Sequence, residues 1–359
     1  MNESDVLAVL RDIVDAETGR DYVSSRAIRN LKVSADGVEL EIELGYPART
    51  QFETIRRTVA DALARAGALR VEVKVASRVV PHAVQRGLKL VPGIKNIVAI
   101  ASAKGGVGKS TTAVNLALAL AAEGVSVGIL DADIYGPSQP TMLGISGKPE
   151  TTDGKSLEPM IGHGIQVISI GFLIEGDTPM VWRGPMVTQA LEQLLRDTRW
   201  RDLDYLIVDL PPGTGDIQLT LAQKVPVTGA VIVTTPQDIA LMDARRGMKM
   251  FEKVGVPILG VVENMSIHVC PECGHKSHIF GSGGAERLCQ DYGTELLGQL
   301  PLDIRIRELA DAGRPTVVAE PESNAAEIYR KIARRCAVRI SDLQKDQTGK
   351  FPEIVVQNT

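Results

Sequence analysis

The chain has 359 residues, 44% of them hydrophobic and 23% charged, with 40 Lys and Arg against 44 Asp and Glu for a formal net charge of −4. That length holds a small domain plus one larger core, and the composition is that of a globular chain. The negative balance excludes nucleic-acid binding by bulk positive charge, and Gly, Pro or a charged residue cuts every apolar run short of membrane-spanning length.

The first residues, MNESDVLAVLRDIVDAE, carry acids early and lack a basic-then-apolar leader, so they are expected to fold as a helix, not to act as a targeting signal. From Ser4 to Ala16 the apolar positions Val6, Leu7, Leu10 and Val14 recur with helical spacing. Val38, Leu40, Ile42 and Leu44 then alternate with polar neighbours as a half-buried strand does. Gln51 to Ala66 is helical again, and Val71, Val73 and Val75 alternate. Residues 1–85 are expected to form a small α+β domain. The basic, Gly- and Pro-punctuated segment RGLKLVPGIK, 86–95, reads as a linker between two separate cores. His82 and His163, in linker and loop contexts, are expected to be solvated.

From Asn96 the pattern changes. NIVAIAS, VSVGILDAD, YLIVDLPP, GAVIVTTP, PILGVVENM and ELLGQLP are short, unbroken, β-branched runs separated by helical stretches. Such runs are strands buried on both faces, which predicts an α/β domain over 96–340 with a mostly parallel sheet covered by helices. Ligands in such sheets sit at the carboxyl ends of the strands. A polar tail occupies 341–359.

Residues 103–111 read AKGGVGKST between a strand and the helix TTAVNLALALAAEG. Gly105, Gly106 and Gly108 let the amides around Val107 curl about a phosphate, and the helix N-terminus adds its positive end. Lys109 is placed to reach the β- and γ-phosphates of ATP; Ser110, with Thr111 behind it, is placed to hold Mg²⁺. The loop departs from the ordinary GxxxxGKS pattern in having Ala103 at the first glycine and a second lysine, Lys104. Two acidic strand ends complete the site: DADIYGPS from Asp131 and DLPPGTGD from Asp209. Asp209 suits the metal's outer coordination, Asp133 the orientation of the attacking water, and Asp131 a place nearer the metal. Gly213 lies where an amide could sense the γ-phosphate as a switch.

Four cysteines are too few for a disulfide scaffold in a chain of this length, so a reduced, cytoplasmic setting is expected. Cys289 and Cys336 fall in helical patterns and read as small buried apolar residues. Cys270 and Cys273 form CPEC, with His268, His275 and His278 nearby. His268 reads as a surface imidazole, with tuning of a cluster by hydrogen bonding as the alternative. Three readings of the pair stand: a zinc knuckle with His275 and His278, a redox pair, or half of a [4Fe–4S] cluster shared by two chains.

The motifs KGGVGKST, DADIYGPS, WRGPM (from Trp182), DLPPGTGD and VENM (with Asn264) together resemble the Mrp family of iron–sulfur cluster carrier ATPases, relatives of the nitrogenase iron protein and of the MinD and ParA ATPases. The resemblance covers about Asn96 to Ala337. It implies an ATP-hydrolysing homodimer that takes up a [4Fe–4S] cluster and passes it to apoproteins. It also implies that Lys104 crosses to the partner's nucleotide and that Asn264 reads the adenine edge. Residues 1–85 resemble the MIP18-like domain, with Asp15 followed by Ala16 where that domain usually has AspPro. Within this family the shared cluster is the favoured reading of Cys270 and Cys273, with Zn²⁺ as the alternative. A zinc-stabilised metalloprotein chaperone and a MinD-like positioning ATPase are the competing functions. The second is disfavoured by the CPEC insert and by the lack of a basic amphipathic C-terminal helix.

Overall fold

The structure, a computed structural model, describes residues 1–85, 87–151, 153–173 and 184–344. Asn2 and Asp5 close a reciprocal capping box that launches α1 (Glu3–Arg11). The helix ends at Arg11 and not at Ala16. Val14 is 59% exposed and bridges Asp21, while Asp15 turns inward to accept the Tyr46 hydroxyl at 2.7 and 2.8 Å. Strand β1 (Ile28–Val33) pairs antiparallel with β2 (Val38–Leu44). Helix α2 (Phe52–Arg65) then carries the chain over to β3 (Val71–Ser77), parallel to β2. Val38, Leu40, Ile42 and Leu44 are all buried, in one cluster with Val6, Leu10, Val59 and Leu63. β1 has no strict alternation of burial, which is why a period of two does not reveal it.

The second sheet begins with β4 (Ile94–Ala101), which leads into α3 (Lys109–Ala122), β5 (Val127–Asp131) and the short α4 (Gln139–Met142). β6 (Met160–Gly162) and β7 (Ile165–Ser169) follow, then α5 (Gly184–Asp197), β8 (Leu203–Asp209), α6 (Asp216–Lys224) and β9 (Gly229–Thr234). Next come α7 (Asp238–Lys253), β10 (Ile258–Glu263) and the hairpin of β11 (His268–Val269) and β12 (Lys276–Ser277). The chain continues through α8 (Gly284–Tyr292), β13 (Leu296–Gln299), α9 (Ile304–Asp311), α10 (Thr316–Ala319) and α11 (Asn324–Ser341). Eight strands lie in the order β13-β10-β9-β4-β8-β5-β7-β6, parallel except for the β6–β7 pair. α3 and α11 cover one face of this sheet, and α5, α7 and α8 cover the other. α3 is mostly apolar and buried on every side from Thr112 to Leu120, as a helix between a sheet and another helix must be. No described helix is long and apolar enough to cross a membrane.

Two sequence expectations are corrected here. Segment 86–95 is not a free tether, since Val91 is buried and β4 already opens at Ile94. His82 is not solvated: it is 2% exposed, with Nδ1 3.0 Å from the Asn96 Oδ1. Asn96 is itself fully buried, and such an amide must be satisfied; it donates to the carbonyls of Val80 and Asp204 and meets His82 with its oxygen. His163 is exposed, with Nε2 2.8 Å from the Gly313 carbonyl.

The two cores are also joined. The buried cluster on the α3 side runs on into the small domain. At its polar edge Arg334, 3% exposed, pairs with Glu17 at 2.6 Å, Glu123 at 2.7 Å and Glu327 at 3.0 Å. Thr50 donates its N–H and hydroxyl to the Glu123 carboxylate at 2.9 and 2.7 Å. The small domain therefore grips the C-terminal end of α3. Arg86, Trp182, Arg183 and the tail beyond 344 lie outside the described residues.

Candidate functional site

Strand order brings three motifs together, because β4, β8 and β5 are neighbours. Their carboxyl ends deliver the glycine-rich loop, Asp209 and Asp131 to one edge, and Asp131 sits opposite Asp209 in register. An open cleft of about 240 Å³ there is lined by Gly105, Gly106, Gly108, Lys109, Ser110, Thr111, Asp133 and Pro212, among others. Gly106 and Gly108 have φ of +79° and +81°, a conformation that side chains disfavour. Space adds a second demand at Gly108: a Cβ would lie 2.1 Å from the Asn264 Nδ2.

Lys109 is 6% exposed and heads α3. Its ammonium donates to the Asp209 Oδ1 and, at 3.1 Å, to the Ser110 Oγ, and it stands 3.8 Å from the Asp133 Oδ2. Two aspartates, Asp209 and Asp133, thus share one buried ammonium, and a third, Asp131, lies beside Asp209 in register. Burial raises the Asp133 pKa, Lys109 opposes that shift, and Asp209 adds to it. Asp131 is fully buried, and burial first, then the Asp209 carboxylate, raises its pKa as well. Negative charge in excess, beside a hydroxyl, is the donor chemistry a hard divalent cation satisfies. Ser110 and Asp209 are the residues that would hold Mg²⁺. Among the described residues no three His, Cys, Asp or Glu side chains surround a common metal position. Mg²⁺ does not need such a cage, because it keeps waters and phosphate oxygens.

Several expected site residues have other partners in this structure. The Asp131 carboxylate accepts the N–H groups of Asp133, Ser138 and Gln139 and the Ser169 hydroxyl, at 3.0 to 3.2 Å. It organises the loop that carries Asp133. The Gly213 N–H donates to the Ser102 carbonyl at 2.9 Å and is not free to sense a phosphate in this arrangement. Asn264 donates to the Val107 carbonyl at 2.9 Å and accepts from the Met265 N–H at 2.9 Å, so it braces the loop. Lys104 is exposed and is paired with no carboxylate among the described residues. Sequence reasoning missed Gln139, buried between Asp209 and Ser110, and Ser169 behind Asp131. Neither carries a charge or a motif signature of its own.

The cysteine loop grows from the same edge, six residues beyond Asn264. It forms a knuckle across the β11–β12 hairpin, with the Cys270 N–H donating to the His275 carbonyl and the Gly274 N–H to the Cys270 carbonyl, both at 2.9 Å. Cys273 is exposed and Cys270 half-buried. The amides of Cys273 and Glu272 point at the Cys270 sulfur and lower its pKa, which favours the thiolate. The one-chain zinc knuckle is not assembled. His278 directs Nδ1 to the Ser266 carbonyl at 3.0 Å, and His275 faces solvent. His268 is half-buried, not a surface imidazole, with Nδ1 3.3 Å from the Leu302 carbonyl. Cys289 and Cys336 are 5% and 1% exposed, as expected of core residues.

Comparison with known proteins agrees with this geometry. Residues 93–337 match the model of the NUBPL iron-transfer P-loop NTPases of the ParA group, and residues 3–75 match that of an iron–sulfur cluster assembly protein. The iron–sulfur cluster carrier protein of Escherichia coli K12 is 52% identical over 317 residues, 88% of this chain and 86% of that one. The mouse iron–sulfur cluster transfer protein NUBPL is 53% identical over 260 residues, 71% of this chain and 82% of its own. A nucleotide-binding protein from Archaeoglobus fulgidus, solved in complex with ADP and with cobalt, superposes with a TM-score of 0.58 at 39% identity, covering 66% of this chain and 92% of that one. The chain belongs to the family of iron-transfer P-loop NTPases that includes the iron–sulfur cluster carrier proteins.

Proposed function

We propose that two copies of this chain bind one [4Fe–4S] cluster between them and pass it to apoproteins in a cycle driven by ATP hydrolysis. The observation that carries this reading is the thiol count. Each chain offers solvent two sulfurs, Cys270 and Cys273, and buries its other two cysteines. A cubane cluster takes four thiolates, which two knuckles supply. The cytoplasm, where thiols stay reduced, is the fitting compartment.

In the nucleotide half of the reading, the 105–108 amides and Lys109 hold the β- and γ-phosphates. Lys109 leaves Asp209 for the phosphates and releases its Oδ1; Ser110 and Asp209 would hold Mg²⁺, which would supply charge neutralisation on the phosphate oxygens. Asp133 aligns a water with the γ-phosphorus. The new P–O bond forms as the bond to the β-phosphate oxygen breaks, giving ADP and inorganic phosphate, and Asp133 accepts the water's proton. Its raised pKa suits that task. Lys104, paired with no carboxylate among the described residues, reaches the partner's nucleotide. Asn264 moves from Val107 to the adenine edge. Gly213 exchanges the Ser102 carbonyl for the γ-phosphate, and this exchange makes the loop a switch.

Anaerobic reconstitution with iron and sulfide tests the cargo. The expected result is about two iron atoms per chain in a dimeric species, falling to near zero in the Cys270→Ser/Cys273→Ser variant and unchanged in Cys289→Ser and Cys336→Ser. One zinc per chain released by His278→Ala would overturn the shared-cluster reading.

A further inference from the structure

Gln139 opens α4 eight residues after Asp131, and it is fully buried. Its side-chain amide donates to the Asp209 Oδ2 at 2.9 Å and to the Ser110 carbonyl at 3.1 Å. Its backbone N–H donates to the Asp131 Oδ2 at 3.1 Å. One residue therefore touches all three motifs of the site: the glycine-rich loop, the β8 carboxylate and the β5 carboxylate.

The amide orientation follows from its surroundings. Turning it over would set its oxygen against a carboxylate oxygen and a carbonyl, two acceptors facing a third, so the nitrogen must point there. That choice has a consequence at the other end. The Gln139 Oε1 is buried and has no hydrogen-bond partner among the described residues. Native structures rarely leave a buried amide oxygen unpaired. Here the fold tolerates it in order to keep the two N–H donations, which points to the donations as the purpose of the side chain.

Those donations divide the labour on Asp209. Its Oδ1 faces Lys109 and its Oδ2 faces Gln139. When Lys109 goes to a phosphate, Oδ1 is released and Oδ2 stays fixed, so the carboxylate keeps its orientation towards the metal position. A neutral donor suits this place, because a second cation would compete with the metal and another carboxylate would add to the repulsion from Asp131.

We propose that Gln139 is a positioning residue that pre-sets Asp209 for Mg²⁺ while tying it to the loop of Asp131 and Asp133. This rests on reading the cleft as a Mg²⁺–nucleotide site. Gln139→Met keeps the volume and the backbone N–H but removes the amide. The measurement is the Mg²⁺ concentration giving half-maximal tight binding of a fluorescent ADP analogue to the full chain, alongside the affinity for the same analogue in EDTA. Loss of an outer-shell donor of this kind changes metal affinity by roughly 10- to 100-fold. The expected result is a rise of about tenfold or more in the Mg²⁺ requirement, with affinity in EDTA held within about twofold. Gln139→Glu, which replaces the donor by an acceptor, is expected to be worse than Gln139→Met. A Mg²⁺ requirement unchanged in Gln139→Met, or an equal loss with and without Mg²⁺, overturns the proposal and leaves the site reading intact. Absence of any Mg²⁺-dependent nucleotide binding in the unaltered chain removes both. Should Gln139→Met fail to fold, Gln139→Asn, which keeps the amide but shortens its reach, is measured in its place, and an unchanged Mg²⁺ requirement there counts against the proposal equally.

Discussion

The nucleotide cleft and the cysteine knuckle leave the same sheet edge but are built on opposite principles. The cleft is assembled within one chain from three strand ends, with Lys109, Asp131 and Asp209 buried and each carboxylate held by two or more donors. The knuckle is exposed, hangs on a hairpin of two-residue strands and presents two sulfurs where a cluster needs four. A site that is complete in one chain can be fixed before its ligand arrives. On the proposed function the knuckle is completed by a second copy; such a site must stay open, and its cargo would become part of what holds the two copies together. Damage to one should therefore spare the other.

The largest effect is expected at Lys109. Lys109→Ala removes the ammonium that pairs with Asp209 and faces Asp133, the one cation among the described residues lining the cleft. ATP hydrolysis should fall by at least about 10³-fold, with nucleotide binding strongly weakened. A buried carboxylate left without its partner also destabilises the fold by about 3–5 kcal/mol. Iron uptake at Cys270 and Cys273 should persist. Lys104→Ala sharpens the same comparison. The side chain of this exposed lysine does not line the cleft, so ATP binding should stay within a few-fold while hydrolysis falls. Mixing Lys104→Ala with Asp133→Asn chains should restore some turnover in mixed dimers. A mixture as inactive as its parents counts against action across the interface.

How much of this was legible in the sequence follows from what each element needs. β2 and β4 were readable because alternation and unbroken burial leave direct marks, and the 103–111 loop because glycine, lysine and serine are each demanded by geometry. β1 was hidden by its irregular burial. Asp131 was recognisable as a member of the site, but its role was not. Whether a strand-end carboxylate meets a metal or three amides depends on how the next eight residues coil, and nothing in its own spacing says which. The same holds for Gln139 and for Arg334, whose partners lie as far as 317 residues away in the chain.

Arg334 gives a middle-sized effect and asks whether the cleft alone draws on the small domain. Arg334→Met leaves Glu123, 1% exposed, and Glu17 without their cation, which should lower stability by about 3 kcal/mol or more in urea unfolding. Glu123 ends α3, the helix that Lys109 begins, so nucleotide affinity should weaken as well. Thiol exposure at the knuckle should not change. Deleting 1–85 removes Glu17 and Thr50 together and should cost at least as much. A deletion as stable as the full chain would restore the picture of two independent cores.

The smallest effect to read, and the most direct on the knuckle, is cysteine labelling in the native protein. Burial pushes the Cys289 and Cys336 thiols up to about 12. At pH 7 a thiol with that pKa is thiolate about once in 10⁵, and its sulfur is shielded from reagent as well. Cys270 has its pKa lowered by the amides of Cys273 and Glu272, so its thiolate grows in at a lower pH than that of an ordinary cysteine. Iodoacetamide at pH 7 should therefore modify Cys270 first and Cys273 next, with Cys289 and Cys336 reacting only after unfolding. Lowering the pH should slow the labelling as the Cys270 thiolate is protonated, with Cys270 remaining the first site modified. Lys109→Ala should leave this order unchanged, and loading the chain with iron and sulfide should protect Cys270 and Cys273 together. Labelling of Cys289 or Cys336 at the rate of Cys273 in the folded chain would mean that a third thiol reaches solvent. The two-plus-two count on which a shared cluster depends would then fail.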